Sequence, residues 1–357
     1  MKNDIVKGMA FLCTFLCVIS MGFILFLSAD KVITISETGH GEIYDEQHKG
    51  NDQQENVQSG ESTKEHVLTF VIGKSDTSYL CVPLPEKCGA EDILVENHYM
   101  DKELCIVVNG VKGEFYEENA ISGNRGMVRQ GLYEAARGST KLIFQLTGIY
   151  ECRTIFEDHH LYISFLPPRE VYEKIVVVDP ACGGANVGIS AQGLLEKDIS
   201  LGIARKLKER LDQSDIKAYY TRIDDVNPGE EARTALANET RADMYIRIQV
   251  DSDDDSSVYG TTTVYNGNYF IPGFGSVELA DLLEREVVTS IKGKALGLSE
   301  AQAQEYALRN VTIPAAAVKA GCVTNKQEAT LLGREEYQDK IAEGIYQAIL
   351  NAYESYF

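Results

Sequence analysis

The spacing of apolar positions divides the chain into four stretches. Residues Gly8–Ala29 carry no charge and are rich in Phe, Leu, Ile, Met and Cys. About 20 apolar residues suffice to cross a bilayer as a helix. Residues 31–65 are dominated by Gly, Ser, Gln, Asn and acids, as in GNDQQENVQSGESTKEH. Such a segment cannot bury enough apolar surface to offset its ordering entropy and is expected to be a flexible linker. Across 66–168 the pattern becomes short β-rich runs: HVLTFVIG, YLCVPL, LCIVVNG, TKLIFQLTG and HLYISFLP. Turn-forming clusters separate them, which predicts a small all-β sandwich closed by Pro167-Pro168.

From 171 to 357 strand and helix patterns alternate. KIVVVD is a continuous apolar run, the signature of a buried strand. Glu196–Leu211 places Ile199, Ile203, Leu207 and Leu211 on one helical face. IKAYYT, DMYIRIQV, TTTVYN and IPAAAVKAG read as further strands, and 230–240, 277–291 and 335–357 as helices. The last of these carries Ile341, Ile345 and Ile349 at helical spacing. Alternation of this kind predicts an α/β fold, a mainly parallel sheet flanked by helices.

Within the 1–30 segment, Lys2 and Lys7 precede the uncharged run and place the N-terminus inside and the rest outside. Leu27-Ser28-Ala29 offers a large residue where a cleavage site wants a small one, so the expectation is an uncleaved signal anchor. This implies a single-pass cell-membrane protein with extracytoplasmic domains. The charge of -20, with 54 acids against 34 bases, excludes nucleic acid, which is bound through clustered Lys and Arg. Eight cysteines show no zinc-binding CxxC pairs. Cys81 and Cys88 flank VPLPEK, compatible with a local disulfide or with two isolated thiols.

The candidate chemistry lies in the last stretch. VVVDPACGG, GLLEKDIS, YYTRIDD, ARTALANETRADMYIRIQVD, LRNVTIPAAAVKAGCVTN and EEYQDKIAEGIYQAI follow one another between Lys174 and Phe357. Singly, each reads as turn or helix-start chemistry; Glu196 at a helix start is favoured by the dipole alone. Together they resemble the type-3 N-acetylmuramoyl-L-alanine amidases, zinc-dependent peptidoglycan hydrolases. The resemblance implies that two His and one Glu hold zinc with an open position, and that a further Glu acts as general base.

Residues 161–357 contain no histidine. The resemblance places Cys182 and Gln249 where the family has its zinc-binding His, keeps Glu196 as the carboxylate ligand, and places Lys319 where the general base belongs. Cys182 remains capable of binding zinc as a thiolate, but Gln249 offers only a weakly basic amide oxygen and Lys319 a repelling cation. No bound metal and no catalytic residue are therefore expected. Instead, Lys319 is expected to form a salt bridge with Glu196. The 66–168 region resembles, by strand pattern and domain order, the AMIN-type modules that precede such amidases.

The leading expectation is a membrane-anchored pseudo-amidase that binds peptidoglycan or a cell-wall enzyme without cleaving. Two rivals stand beside it: an active amidase with an altered metal site, and an envelope protein-interaction module.

Overall fold

A computed structural model describes residues 32–40, 66–71 and 78–357. The expected membrane segment and most of the expected linker lie outside the described residues. Among the described residues no helix is long and apolar enough to cross a membrane. The chain divides into two compact units between Leu166 and Pro167.

Among its described residues the first unit has ten strands: β1 Ile35–Thr38, β2 His66–Val67, β3 Tyr79–Pro83, β4 Ile93–His98, β5 Glu103–Asn109, β6 Ser122–Gly123, β7 Val128–Ala136, β8 Ser139–Leu146, β9 Glu151–Glu157 and β10 His160–Leu166. One sheet runs β1-β4-β5-β8-β7-β2 and the other β6-β3-β10-β9. Alternation along β5 and β8 turns Leu104, Ile106, Val108, Leu142 and Phe144 into a core shared with Leu80, Val82, Leu161 and Ile163 of the second sheet. The linker reading fails over 32–40: β1 pairs in parallel with β4, and Ile33 is buried in the same core. The apolar pair Ile33 and Ile35 gives this short piece something to bury, which the composition of the longer stretch hides. All six described cysteines are free thiols, Cys81 and Cys88 included.

The second unit carries β11 Ile175–Pro180, the small hairpin β12 Ser190–Ala191 and β13 Leu194–Leu195, then β14 Lys217–Tyr220, β15 Met244–Asp251, β16 Thr261–Tyr265, β17 Ala295–Glu300 and β18 Ala315–Cys322. The main sheet has the order β14-β11-β15-β18-β16-β17. Strands β14, β11, β15 and β18 are mutually parallel; β16 runs antiparallel to β18, and β17 parallels β16. One face packs Val176, Val178, Ile246, Ile248, Ala316 and Val318 against the helices Glu196–Leu211, Ser276–Ile291 and Glu335–Tyr356. Adjacent parallel strands β11, β15 and β18 all end at the same edge of the sheet, where open parallel sheets present ligand sites.

Candidate functional site

The loop leaving β11 is positioned by a buried ionic cluster. Asp179 is fully buried, bonded to Arg233, Thr221 and Tyr245 and paired with Arg247 at 3.2 Å. Burial alone would raise its carboxyl; the Arg233 and Arg247 guanidiniums hold it far below the ordinary carboxylate range. Arg247 is itself held by Glu230 through a two-pronged contact, both hydrogen bonds at 2.9 Å. Arg233 also donates to the carbonyls of Pro180 and Cys182, each at 3.0 Å. Arg222, also fully buried, donates to the carbonyls of Pro180, Ala181 and Lys197. Two arginines thus clamp residues 180–182 and present Cys182 in the left-handed region, φ 63°.

Glu196 opens its helix and is buried at 5% exposure. Its carboxylate accepts hydrogen bonds from the Ile189 N–H at 3.0 Å and the Val250 N–H at 3.4 Å. The Cys182 thiol stands beside the same carboxylate, both crowding Gly188. Burial, reinforced by the neighbouring Glu196 charge, pushes that thiol up to about 11, so it is uncharged at neutral pH. The approach is close enough to require Gly188: a Cβ there would stand 2.5 Å from Glu196 Oε2 and 2.6 Å from Cys182 Sγ.

Gln249 and Lys319 are cross-strand partners on β15 and β18, just before a register shift between Gln249 and Asp251. Gln249 Oε1 is enclosed and has no hydrogen-bond donor. The expected salt bridge between Lys319 and Glu196 does not form. Lys319 Nζ lies 3.6 Å from Asp251 Oδ1 instead. The physical reason is that the Glu196 carboxylate already accepts from two backbone N–H groups and does not need the ammonium as a partner. Asp251 closes β15 just past the register shift, within reach of Lys319. The structure therefore joins Cys182 to Glu196 and sets Gln249 beside Lys319 in register, but leaves the ammonium with a different acid.

The family model for N-acetylmuramoyl-L-alanine amidase matches residues 176–351. The germination-specific N-acetylmuramoyl-L-alanine amidase of Bacillus subtilis (strain 168) is 31% identical over 193 residues, covering 50% of this chain and 78% of that protein. This chain belongs to the N-acetylmuramoyl-L-alanine amidase family. The uncharacterized protein YqiI of the same Bacillus strain is 32% identical, over 52% of this chain and 85% of its own length. An N-acetylmuramoyl-L-alanine amidase structure from Clostridium difficile 630 is 31% identical over 51% of this chain and 97% of that chain, with a TM-score of 0.48.

Against amidase chemistry, the residues present do not fit a catalytic zinc. Such a site takes three protein donors drawn from His, Cys, Asp and Glu, plus an open position. Cys182 and Glu196 supply two such donors, but Gln249 offers only an amide and Lys319 only an ammonium, and neither belongs to that set. Among the described residues, the one cluster of three such donors within reach of a single ion is His98, Glu103 and Cys105, in the first unit.

Proposed function

We propose that this amidase-family protein binds peptidoglycan without hydrolysing it, held at the extracytoplasmic face of the cell membrane by residues 1–30. The observation that carries this reading is the replacement chemistry at the end of β15 and β18. Lys319 is a cation paired to Asp251 where a proton acceptor would be needed, and Cys182 stands beside Glu196 in place of an imidazole. A positively charged lysine cannot take a proton from water, and an amide at Gln249 cannot replace an imidazole as a strong zinc donor. The scaffold around them is intact: the Arg222 and Arg233 clamp, the Glu196 cradle and Gly188 all keep the loop in place. A kept frame with altered reacting groups supports recognition without turnover.

The test is cosedimentation of the purified full-length protein with insoluble peptidoglycan, followed by analysis of the released muropeptides. Retention on the polymer with no newly exposed L-alanine amines is the expected result. Binding without cleavage that disappears on competition with soluble muropeptides would strengthen it. Failure to sediment with the polymer would overturn it. Extraction of the protein from membranes by alkaline wash would overturn the anchoring part.

A further inference from the structure

The outer face of the β4–β5 hairpin carries polar groups that the amidase-family site does not use. His98 is 2% exposed, Cys105 1% and Glu96 8%. The antiparallel register sets His98 opposite Glu103 and Glu96 opposite Cys105, so all four side chains emerge on one face of two regular strands. The Nδ1 atom of His98 stands 3.5 Å from Cys105 Sγ, and Nε2 stands 3.1 Å from Glu96 Oε2. Glu103 Oε1 accepts a hydrogen bond from Gln145 at 3.3 Å. One donor atom from each of His98, Glu103 and Cys105 lies within 4.8 Å of the other two.

We propose that His98, Glu103 and Cys105 form a binding site for one borderline-soft divalent cation of the zinc class. The donor set of imidazole nitrogen, thiolate and carboxylate is the one zinc prefers. Zn–N near 2.1 Å and Zn–S near 2.3 Å put two tetrahedral ligands about 3.6 Å apart. The Sγ–Nδ1 separation of 3.5 Å therefore already has the spacing of a ligand pair. Glu96 supplies the orienting contact. An ionised carboxylate only accepts, so it fixes the proton on Nε2 and leaves the Nδ1 lone pair facing Cys105. A carboxylate behind a metal-binding imidazole is the usual way such a ring is held and made more basic. Glu103 is only half-buried, which leaves its side open to solvent and to a water as fourth ligand. Uptake is a proton exchange: the metal forms a bond to Cys105 Sγ, and the thiol proton leaves to solvent. Because all the donors sit on paired strands, the site needs no loop to order, which favours affinity.

This site is independent of the amidase-family site, and cobalt(II) tests it. The full-length protein is stripped with chelator and titrated with cobalt(II), then with zinc. The expected result is one equivalent bound per chain with a thiolate-to-cobalt charge-transfer band in wild type and in Cys182→Ser. The band is lost in Cys105→Ser. His98→Gln weakens zinc affinity by at least about 10-fold, and Glu96→Gln by about 10–100-fold while keeping the band. X-ray absorption of zinc-loaded wild type should report one sulfur with nitrogen and oxygen ligands, a readout that survives if a variant fails to fold. A wild-type protein that retains no metal, a zinc environment with no sulfur or several, or a band that follows Cys182 rather than Cys105 would each overturn the proposal. In the first case the Cys105, His98 and Glu96 contacts are a hydrogen-bonded network only.

Discussion

Replacing Arg233 with Met removes the group that ties the buried charge of the second unit to its site loop. Arg233 donates to Asp179, Thr221 and Asn227 and to the carbonyls of Pro228, Pro180 and Cys182. A hydrogen bond to a charged group contributes about 1.5–3 kcal/mol and a neutral one about 1 kcal/mol. Met fills much of the volume, and Arg247 still faces Asp179 at 3.2 Å, so part of the gross loss is recovered. Breaking a buried pair by removing one partner costs about 3–5 kcal/mol, and we expect a loss in that range. Hydrogen exchange on peptides covering β11 and β15 reads the opening free energy of this unit separately from the other. The companion Asp179→Asn, Arg233→Met double variant should lose less than the sum of the singles, because the orphaned charge is gone. A loss below about 1 kcal/mol for Arg233→Met, or strict additivity in the double variant, would refute the role given to this cluster.

Other outcomes follow from the same contacts. Because the folded Asp179 carboxyl is held below its unfolded value of about 3.9, its contribution is present above that pH and is lost as pH falls further; acid unfolding of Asp179→Asn should be flatter below about pH 4. A double-mutant cycle between Lys319 and Asp251 should give a coupling of about 0.2–1 kcal/mol, as for a partly solvated pair, while the Lys319 and Glu196 cycle should give none. Gln249→Leu should change stability by less than about 1 kcal/mol or raise it, since the amide oxygen it removes has no donor; a loss of several kcal/mol in thermal unfolding would show a missed partner. The combined Cys182→His, Gln249→His and Lys319→Glu variant should bind one more equivalent of zinc than wild type by metal analysis; no added metal would mean the ligand geometry has drifted.

Much of the second unit is readable from periodicity because its buried elements are long and uniform. The run at 175–179 and the Ile199, Ile203, Leu207, Leu211 spacing leave little choice of structure. The strand β17, ALGLSE, escapes notice because it is short, Leu296 is exposed, and Gly297 separates it from Leu298, which alone packs against the core. In the first unit β4, β7 and β9 are missed for a related reason. ILVENH, VRQGLYEAA and ECRTIFE mix charged residues into strands whose outer face is polar yet partly enclosed, as the burial of Glu96 and His98 shows. At the site, motif order points to Cys182, Glu196, Gln249 and Lys319, but not to their pairing. The backbone N–H groups of Ile189 and Val250 satisfy Glu196 without side-chain identity, so no residue pattern announces them. The Asp179 cluster had a visible signal: an acid closing an otherwise apolar strand, with arginines in two later motifs.

Binding without hydrolysis is tested most directly by muropeptide release from purified peptidoglycan by the full-length protein in zinc-containing buffer, compared with Glu196→Ala. If the chain binds the polymer without cleaving it, wild type and variant both release nothing above the buffer blank. Release of peptide by wild type that is abolished by Glu196→Ala would contradict it.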